Sequence, residues 1–208
     1  RSFHVTGVQT CALPILTTVS ISLDGHFIAA GTEQGKVYVY STYGENVSWF
    51  HDGLLDGRII EIDFSEDSTH FVFGTENGKV YVYATEGDTP LMTWVQAEEV
   101  ICVSGSSDSN YYAFGTDQGT VTVLNLEDDF SEWVKDIGGV VTDVDFNGRA
   151  TYLVAGSTNK KLVLAKVSNG DELWRISAFG GVSGVAISYR GENRSEERRV
   201  GKECRSRW

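Results

Sequence analysis

The sequence repeats itself at an almost constant spacing. Four similar segments begin at Gly31, Gly74, Gly115 and Gly156, so successive copies lie 43, 41 and 41 residues apart. The first three read GTEQGKVYVY, GTENGKVYVY and GTDQGTVTVL, and the fourth reads GSTNKKLVLA. Self-similarity at a fixed period of this length predicts a repeat architecture, in which one small supersecondary unit recurs along the chain.

Each unit contains the pattern of four short strands. The first strand alternates, with a large apolar residue at every second position and a small or polar residue between, which is typical of a half-buried strand. Its central apolar column consists of Val19, Ile62, Val103, Val144 and Val185. The second strand is continuously apolar, which predicts burial on both faces. The third strand begins at Val37, and a fourth follows after a polar turn.

Glycine marks the hairpin between the second and third strands. Gly35, Gly78 and Gly119 are predicted to supply the positive φ of a tight turn. The fourth unit has Lys160 at this position, and there we expect the neighbouring Asn159 to take the left-handed conformation. The turn between the first and second strands has its own turn formers, namely Asp24-Gly25, Asp67-Ser68, Asp108-Ser109 and Gly148-Arg149.

One tryptophan follows each hairpin. Trp49, Trp94, Trp133 and Trp174 lie 18 or 20 residues after the glycine of their own unit. A recurring large aromatic side chain predicts buried packing between neighbouring units. The alternative is an aromatic cage for a ligand, which would not require one member in every unit.

The repeats together show an Asp-Gly turn, a Gly-Thr hairpin and a following tryptophan. This combination resembles the WD-type and quinoprotein-like β-propeller repeats over residues 17–193. The segment AKVSNGDELW, which ends at Trp174, is especially similar to the quinoprotein-like blade motif. Tyr40-Ser41 and Tyr83-Ala84 stand where the WD type has Trp-Asp, so its hydrogen-bond network does not carry over. The resemblance implies an all-β fold: a partial β-propeller of about four four-stranded antiparallel blades plus the first strand of a fifth, in an open arc.

The propeller domain is predicted to span residues 16–193, with blades at about 17–56, 57–98, 99–138 and 139–179 and an inner strand at 180–193. Residues 1–15 and 194–208 share no pattern with the repeats and resemble translated sequencing adapters, so we treat both as artefactual tails. Since propellers of this kind have seven or eight blades, we expect the natural protein to be longer.

Charge and cysteine content exclude several classes of partner. Residues 16–193 hold 10 basic and 26 acidic residues, a net charge of −16, which disfavours nucleic acid and anionic membrane surfaces as partners. No apolar run reaches the length of about 18 residues that a membrane helix needs, so membrane insertion is not expected. Cys102 is the single cysteine of this range and cannot form an internal disulfide. We expect a soluble protein, with cytoplasm and periplasm both open.

No catalytic, cofactor-binding or metal site is predicted. The glycines do not follow a nucleotide-binding pattern, and no Ser-His-Asp or Cys-His arrangement is visible. His26, His51 and His70 occupy different repeat positions and are interpreted as surface or turn residues.

Two groups of acidic residues are the candidate binding sites. Glu61, Asp63, Asp143 and Asp145 occupy the polar columns of the innermost strand and point toward a central channel or the gap between blades. They could hold a cation or raise one another's pKa, or they could line a wet channel as solvated or hydrogen-bonded acids. Glu33, Glu76 and Asp117 recur at the hairpin and would form an arc of negative charge on one face. This arc could recognise a basic partner, or an acid could simply suit the turn.

The sequence therefore predicts a non-catalytic β-propeller scaffold that binds a protein or a peptide, with a basic segment as the favoured partner. One alternative is a fragment of a propeller enzyme, a quinoprotein-like oxidoreductase or hydrolase whose catalytic residues lie in other blades. Another is an extracytoplasmic quinoprotein-like assembly factor. An arc with an unpaired strand at Val182–Ser188 and two uncovered faces is also expected to self-associate.

Overall fold

The computed structural model describes residues 15–43, 47–52, 57–127 and 130–189. Within these ranges the regular elements are all strands, as predicted. They form four four-stranded antiparallel sheets, none of which closes into a barrel. The protein is an all-β partial β-propeller in an open arc. Apart from Ile15, the predicted tails lie outside the described ranges.

Each sheet takes four consecutive strands, arranged side by side in chain order. Sheet 1 consists of β1 (Leu16–Ile21), β2 (Phe27–Thr32), β3 (Lys36–Ser41) and β4 (Val47–Asp52). Sheet 2 consists of β5 (Ile59–Phe64), β6 (His70–Thr75), β7 (Lys79–Ala84) and β8 (Pro90–Val95). Sheet 3 consists of β9 (Val100–Gly105), β10 (Tyr111–Thr116), β11 (Thr120–Asn125) and β12 (Phe130–Asp136). Sheet 4 consists of β13 (Val141–Phe146), β14 (Tyr152–Ser157), β15 (Lys161–Lys166) and β16 (Glu172–Ser177).

Burial follows the sequence pattern in sheets 2 and 4. In β5 and β13 the buried residues alternate with half-buried ones after an initial bulge, as the period of two predicts. In β6, β10 and β14 every residue after the first is buried, which confirms the prediction of burial on both faces. In sheets 2 and 3 the second strand therefore has a neighbouring sheet on either side, whereas in sheet 4 it lies between sheet 3 and the segment that follows β16.

The hydrophobic core is divided into three parts, and each part lies between two consecutive sheets. Between sheets 1 and 2, Ala29, Val37 and Val39 face the aromatic side chains of β6 and β7. Between sheets 2 and 3, Val72, Val80 and Val82 face a layer that includes Tyr112 and Phe114. Between sheets 3 and 4, Val121 and Val123 face a layer that includes Leu153 and Val163. Each sheet is therefore stabilised mainly by its neighbours.

The repeated glycine at the end of each second strand permits this close stacking. A Cβ atom on Gly74 would lie 2.3 Å from Val100 Cγ1, and one on Gly115 would lie 2.3 Å from Val141 Cγ1. Gly31 has the same relation to Ile59, at 2.5 Å. In each case the neighbour is the first residue of the next sheet's innermost strand. The glycine is needed because that strand passes directly over the backbone.

The hairpins between second and third strands confirm one prediction and correct another. Gly35, Gly78 and Gly119 have φ values of 79°, 76° and 93°, as expected for a left-handed turn position. In sheet 4, however, Lys160 itself takes this conformation, with φ 64°, so the assignment to Asn159 was wrong. The Lys160 N–H donates to the Ser157 carbonyl at 3.1 Å, as Gly35 N–H does to Thr32 at 3.2 Å. The turn's hydrogen bonding therefore fixes the position, whichever residue occupies it.

The turn between first and second strands also needs one correction. Its left-handed residues are Gly25, Ser68, Ser109 and Ala150. In the fourth unit the turn is therefore formed by Arg149-Ala150, one residue later than the predicted Gly148-Arg149. Gly148 instead leaves room for Tyr189, because a Cβ at position 148 would lie 1.9 Å from the Tyr189 ring.

The tryptophans lie on the outermost strands, but not all in one register. Trp49, Trp133 and Trp174 pair with Val39, Val123 and Leu164, which are equivalent positions. In sheet 2 that position belongs to Met92, and Trp94 lies two residues further along. The side chain of Trp49 is outside the described part of the structure, and the other three are half-buried rather than buried.

Trp133 shows how such a side chain joins two sheets. Its indole Nε1–H donates to the Val167 carbonyl at 2.7 Å, and its ring lies over Gly170. Val167 and Gly170 both lie in the β15–β16 turn of sheet 4, whereas Trp133 lies in sheet 3. The predicted packing between blades is confirmed at this interface.

Residues 181–188, here called the capping segment, lie where the innermost strand of a fifth sheet would lie. Val182 packs over Gly156, 2.5 Å from a Cβ placed there, as Val141 packs over Gly115. The segment is not a regular strand because none of the described residues forms a ladder with it. Residues 190–193 of the predicted inner strand lie outside the described ranges.

Candidate functional site

The predicted acids of the innermost strands lie in the gap between blades, where they bind backbone amides of the next innermost strand. The Val103 N–H donates to Glu61 Oε2 at 2.8 Å, and the Gly105 N–H donates to Asp63 Oδ2 at 3.0 Å. β5 and β9 therefore run side by side in the same direction, joined by side chains rather than by a backbone ladder.

The same arrangement joins sheet 4 to the capping segment. The Val185 N–H donates to Asp143 Oδ2 at 2.7 Å, and the Ile187 N–H donates to Asp145 Oδ2 at 2.8 Å. The sequence separation is 42 residues in all four bonds of the two pairs of strands. We call these four carboxylates the inner carboxylates. They satisfy amides that would otherwise be buried without a partner.

Burial raises the pKa values of the inner carboxylates, although each accepts a hydrogen bond that opposes the shift. The pKa of Glu61 is raised to about 7, with further contributions from the charges of Asp143 and Asp63. Burial likewise raises the pKa of Asp63 to about 6 and that of Asp145 to about 6. The pKa of Asp143 is also raised by burial. Burial is the largest cause for all four, and the charges of neighbouring carboxylates add to the rise in pKa of Glu61, Asp63 and Asp145. Of the alternatives stated from sequence, hydrogen-bonded acids therefore describe all four inner carboxylates.

Acidic and neutral sheets alternate along the arc. Sheets 2 and 4 carry the inner carboxylates, whereas the equivalent residues are Thr18 and Ser20 in sheet 1 and Cys102 and Ser104 in sheet 3. Cys102 is buried between Glu61 and Asp143, and burial followed by these two charges raises the pKa of its thiol. A neutral strand between two acidic ones limits the repulsion among the carboxylates.

The hairpin acids lie at one end of the sheets, on turns that are held by the backbone. The N–H groups of Glu33, Glu76 and Asp117 donate to the carbonyls of Ile15, Arg58 and Glu99 at 2.9, 3.0 and 3.1 Å. Each carbonyl belongs to the residue just before the innermost strand of the same sheet. β5 and β9 are parallel, and so are β1 and β5, since Thr17 contacts Ile59 at one end and Asp24 contacts Ser68 at the other. The three hairpins therefore lie at the same end of sheets 1, 2 and 3.

The three hairpin acids differ in exposure. The side chains of Glu33 and Glu76 are exposed, whereas Asp117 is half-buried. Asp117 Oδ2 accepts a hydrogen bond from Gln118 Nε2 at 2.7 Å, and its Oδ1 is buried with no partner among the described residues. The predicted row of acids therefore consists of two exposed carboxylates, Glu33 and Glu76, and one half-buried carboxylate, Asp117.

A second polar network, at the opposite end of the sheets, was missed from the sequence. Asp67 Oδ1 accepts hydrogen bonds from Ser65 Oγ at 2.7 Å, from Thr69 N–H at 3.0 Å and from Ser109 Oγ of the next sheet's turn at 2.6 Å. Burial works to raise the pKa of Asp67, but these hydrogen bonds outweigh it and the pKa lies below its usual value. The repeated Ser-x-Asp at Ser22, Ser65 and Ser106 is the signal that could have predicted this network.

The histidines occupy three different environments. His26 lies beside Asp24 in a turn, with Nδ1 and Oδ2 3.2 Å apart, and the His70 ring is 2.7 Å from the Thr69 hydroxyl. His51 lies between sheets 1 and 2, where its Nδ1 is 2.8 Å from the Tyr83 hydroxyl and its ring packs against Tyr81. His51 is therefore a packing residue and not the surface or turn residue expected.

A scan against protein-family models gives no match, and a search of the curated proteins finds no relative of this chain. In the part of the chain that the structure describes, no group of three or more His, Cys, Asp or Glu side chains is arranged to hold a metal ion. No helix within the described ranges has the length and apolar character needed to cross a membrane.

Proposed function

We propose that this chain is a β-propeller repeat scaffold that binds a protein or peptide through the end of the sheets where the hairpin acids lie. A basic, extended segment is the partner that fits this end. The observation that supports this proposal most directly is the exposure of Glu33 and Glu76 at equivalent positions of adjacent sheets. Both lie on turns whose backbone is fixed by hydrogen bonds.

Charge supports this proposal in two ways. Residues 16–193 carry a net charge of −16, so a basic partner is attracted over distances beyond direct contact. The regular spacing of the hairpins places carboxylates at fixed intervals, which favours a partner whose lysine or arginine residues are similarly spaced. Fixed turns also lower the entropy that is lost when the partner binds.

The test is the binding of a fluorescein-labelled Lys-Gly repeat peptide, followed by fluorescence anisotropy at low and high salt. We expect binding that weakens as salt rises, and a double substitution of Glu33→Gln with Glu76→Gln that weakens it further. Two exposed ion pairs together contribute about 0.4–2 kcal/mol, so the expected rise in Kd is between about twofold and about thirtyfold.

The matched control is Glu86→Gln with Asp88→Asn, which removes the same charge from exposed residues at the opposite end of sheet 2. This control should bind the peptide almost as well as the unaltered chain. Equal weakening by both double substitutions would show that net charge alone attracts the peptide, and the proposed site would then be wrong.

A further inference from the structure

One face of sheet 1 is uncovered, although the equivalent face of every other sheet is buried. Leu16, Val19 and Ile21 are 55%, 58% and 58% exposed. Their counterparts in sheet 2, which are Ile59, Ile62 and Phe64, are 0%, 4% and 6% exposed because they pack against sheet 1. Exposed apolar side chains in a continuous strand are unusual on the surface of a monomer and mark an interface.

The uncovered face continues across the second and third strands of sheet 1. Ile28, Tyr38 and Tyr40 are half-buried there, whereas their counterparts Phe71, Tyr81 and Tyr83 are buried. None of these positions in sheet 1 carries a charge. The face is therefore uncharged at these positions, like the equivalent face of sheet 2, which is buried against sheet 1.

At the other end of the arc, the capping segment lies against sheet 4 in the place of a further innermost strand. The Thr142 hydroxyl donates to the Val182 carbonyl at 2.8 Å, and Asp143 and Asp145 accept the N–H groups of Val185 and Ile187. The same threonine contact occurs within the arc, where the Thr17 hydroxyl donates to the Ile59 carbonyl at 2.6 Å. Sheet 4 therefore binds the backbone of whichever chain occupies this place.

β1 offers the same backbone groups as the capping segment. Thr18 lies opposite Gly31 in the register of sheet 1, as Cys102 lies opposite Gly115 in sheet 3. In this register the N–H groups of Val19 and Ile21 point away from β2, like those of Val103 and Gly105, which the carboxylates of sheet 2 accept. Leu16, Val19 and Ile21 are also the equivalents of Val182, Val185 and Ile187.

We propose that two copies of this chain associate head to tail, with β1 of one copy replacing the capping segment of the other against sheet 4. Thr142, Asp143 and Asp145 keep their hydrogen bonds in this exchange, which now run to Leu16, Val19 and Ile21 of the second copy. The apolar side chains of the capping segment are replaced by those of β1.

The capping segment and β1 differ in the strands that pair with them. No strand among the described residues pairs with the capping segment, whereas β1 is backed by β2, β3 and β4. The exchange therefore covers Ile28, Tyr38 and Tyr40 in addition to β1, and this extra apolar burial favours association. The capping segment must first be displaced, so association depends on protein concentration.

The test measures the mass of the full chain by sedimentation velocity over a range of concentrations. We expect a shift from one copy to two as concentration rises, and Val19→Asp should weaken the association at least tenfold. The control is Val95→Asp, which places the same charge on a residue that is 64% exposed on the outermost strand β8. It should leave the association unchanged.

A second substitution distinguishes this contact from a symmetrical one between two copies of sheet 1. Val185→Asp, with Ile187→Asp as a repeat of the same test, loosens the capping segment and should strengthen association several-fold. A symmetrical contact would not respond to it. Species larger than two copies that respond in the same way also support the proposal, because a head-to-tail contact can continue instead of closing.

Three results would overturn the proposal: a single copy at every concentration, an association that Val19→Asp does not weaken, or one that Val185→Asp fails to strengthen. Circular dichroism of each variant confirms that it remains folded, so a loss of association is not mistaken for unfolding.

Discussion

Sheets 1 and 2 share nearly the same hairpin sequence and differ in how well they are covered. Their hairpins read GTEQGKVYVY and GTENGKVYVY, and their strands pair in the same register. Yet Phe71 of sheet 2 is fully buried, while Ile28, its equivalent in sheet 1, is half-buried. The difference arises because sheet 2 has a sheet on either side and sheet 1 has one. Stability therefore lies in the interfaces between repeats more than in any repeat itself.

The largest effect is expected when the equivalent residues Phe71 and Ile28 are each replaced by alanine. Phe71 packs between sheets 1 and 2 with its ring centroid 5.8 Å from that of Tyr83, so Phe71→Ala should lower the free energy of unfolding by about 3–5 kcal/mol. Ile28→Ala should lower it by only about 1 kcal/mol, since part of the side chain is already in contact with water. Urea denaturation measures both. Equal losses would show that the position within the sheet decides stability and that the neighbouring sheet does not.

A second test uses pH, because acidic and neutral interfaces alternate. The folded pKa values of Glu61, Asp63 and Asp145 are about 7, 6 and 6, above their ordinary values. The folded state therefore binds more protons than the unfolded state between about pH 4 and 7, and the free energy of unfolding should rise as pH falls from 8 to 5.5. We expect a gain on the order of 2 kcal/mol from these groups together.

Glu61 provides the control for the pH test. It faces Asp63 on its own strand, Cys102 on β9 and Asp143 on β13. Glu61→Gln keeps an oxygen that accepts the Val103 N–H and removes the charge, so the rise in stability on acidification should become smaller. A stability that falls steadily between pH 8 and 5.5, in both forms of the protein, would contradict the electrostatic account of these interfaces.

The smallest expected effects are those of substitutions in the hairpins. There the change in the free energy of unfolding should be positive in sheet 4 and negative in sheet 2. Lys160 has a left-handed φ of 64°, so Lys160→Gly should raise the free energy of unfolding by about 1 kcal/mol. Gly78→Ala should lower it by about 1–2 kcal/mol, since φ is 76° and the new Cβ would lie 2.4 Å from the Gln96 carbonyl oxygen. Thermal unfolding of the two variants compares them directly. A loss of stability in Lys160→Gly would mean that the lysine side chain outweighs the backbone strain.

The sequence predicted the fold well because the repeated pattern is set by local physics. Alternation in the first strand, continuous burial in the second and glycine in the hairpin each depend on a few neighbouring residues. The predictions were wrong where one repeat departs from the others. Lys160 has the left-handed turn conformation although it is not glycine, and Met92 occupies the position that tryptophan has in the other sheets. In both cases the hydrogen-bond register decides the conformation, and register is not visible in composition.

The candidate site was predicted less completely. The sequence identified Glu61, Asp63, Asp143 and Asp145 as inward-facing acids, but not their hydrogen bonds to amides of the following innermost strand. Those bonds join residues 42 positions apart and depend on how two sheets are placed in space. The Ser-x-Asp network was not predicted for a related reason, because Ser109 reaches Asp67 only when the turns of adjacent sheets meet.

The most direct test of the central claim, that carboxylates of one innermost strand hold the backbone of the next in sheets 2 and 3, is hydrogen exchange at the Val103 and Gly105 amides. These amides bond to Glu61 and Asp63. We predict slow exchange at both by NMR, and faster exchange at Gly105 alone in Asp63→Ala. Exchange as fast as in an unstructured peptide, in the unaltered chain, would contradict the stacking of sheets 2 and 3 described above.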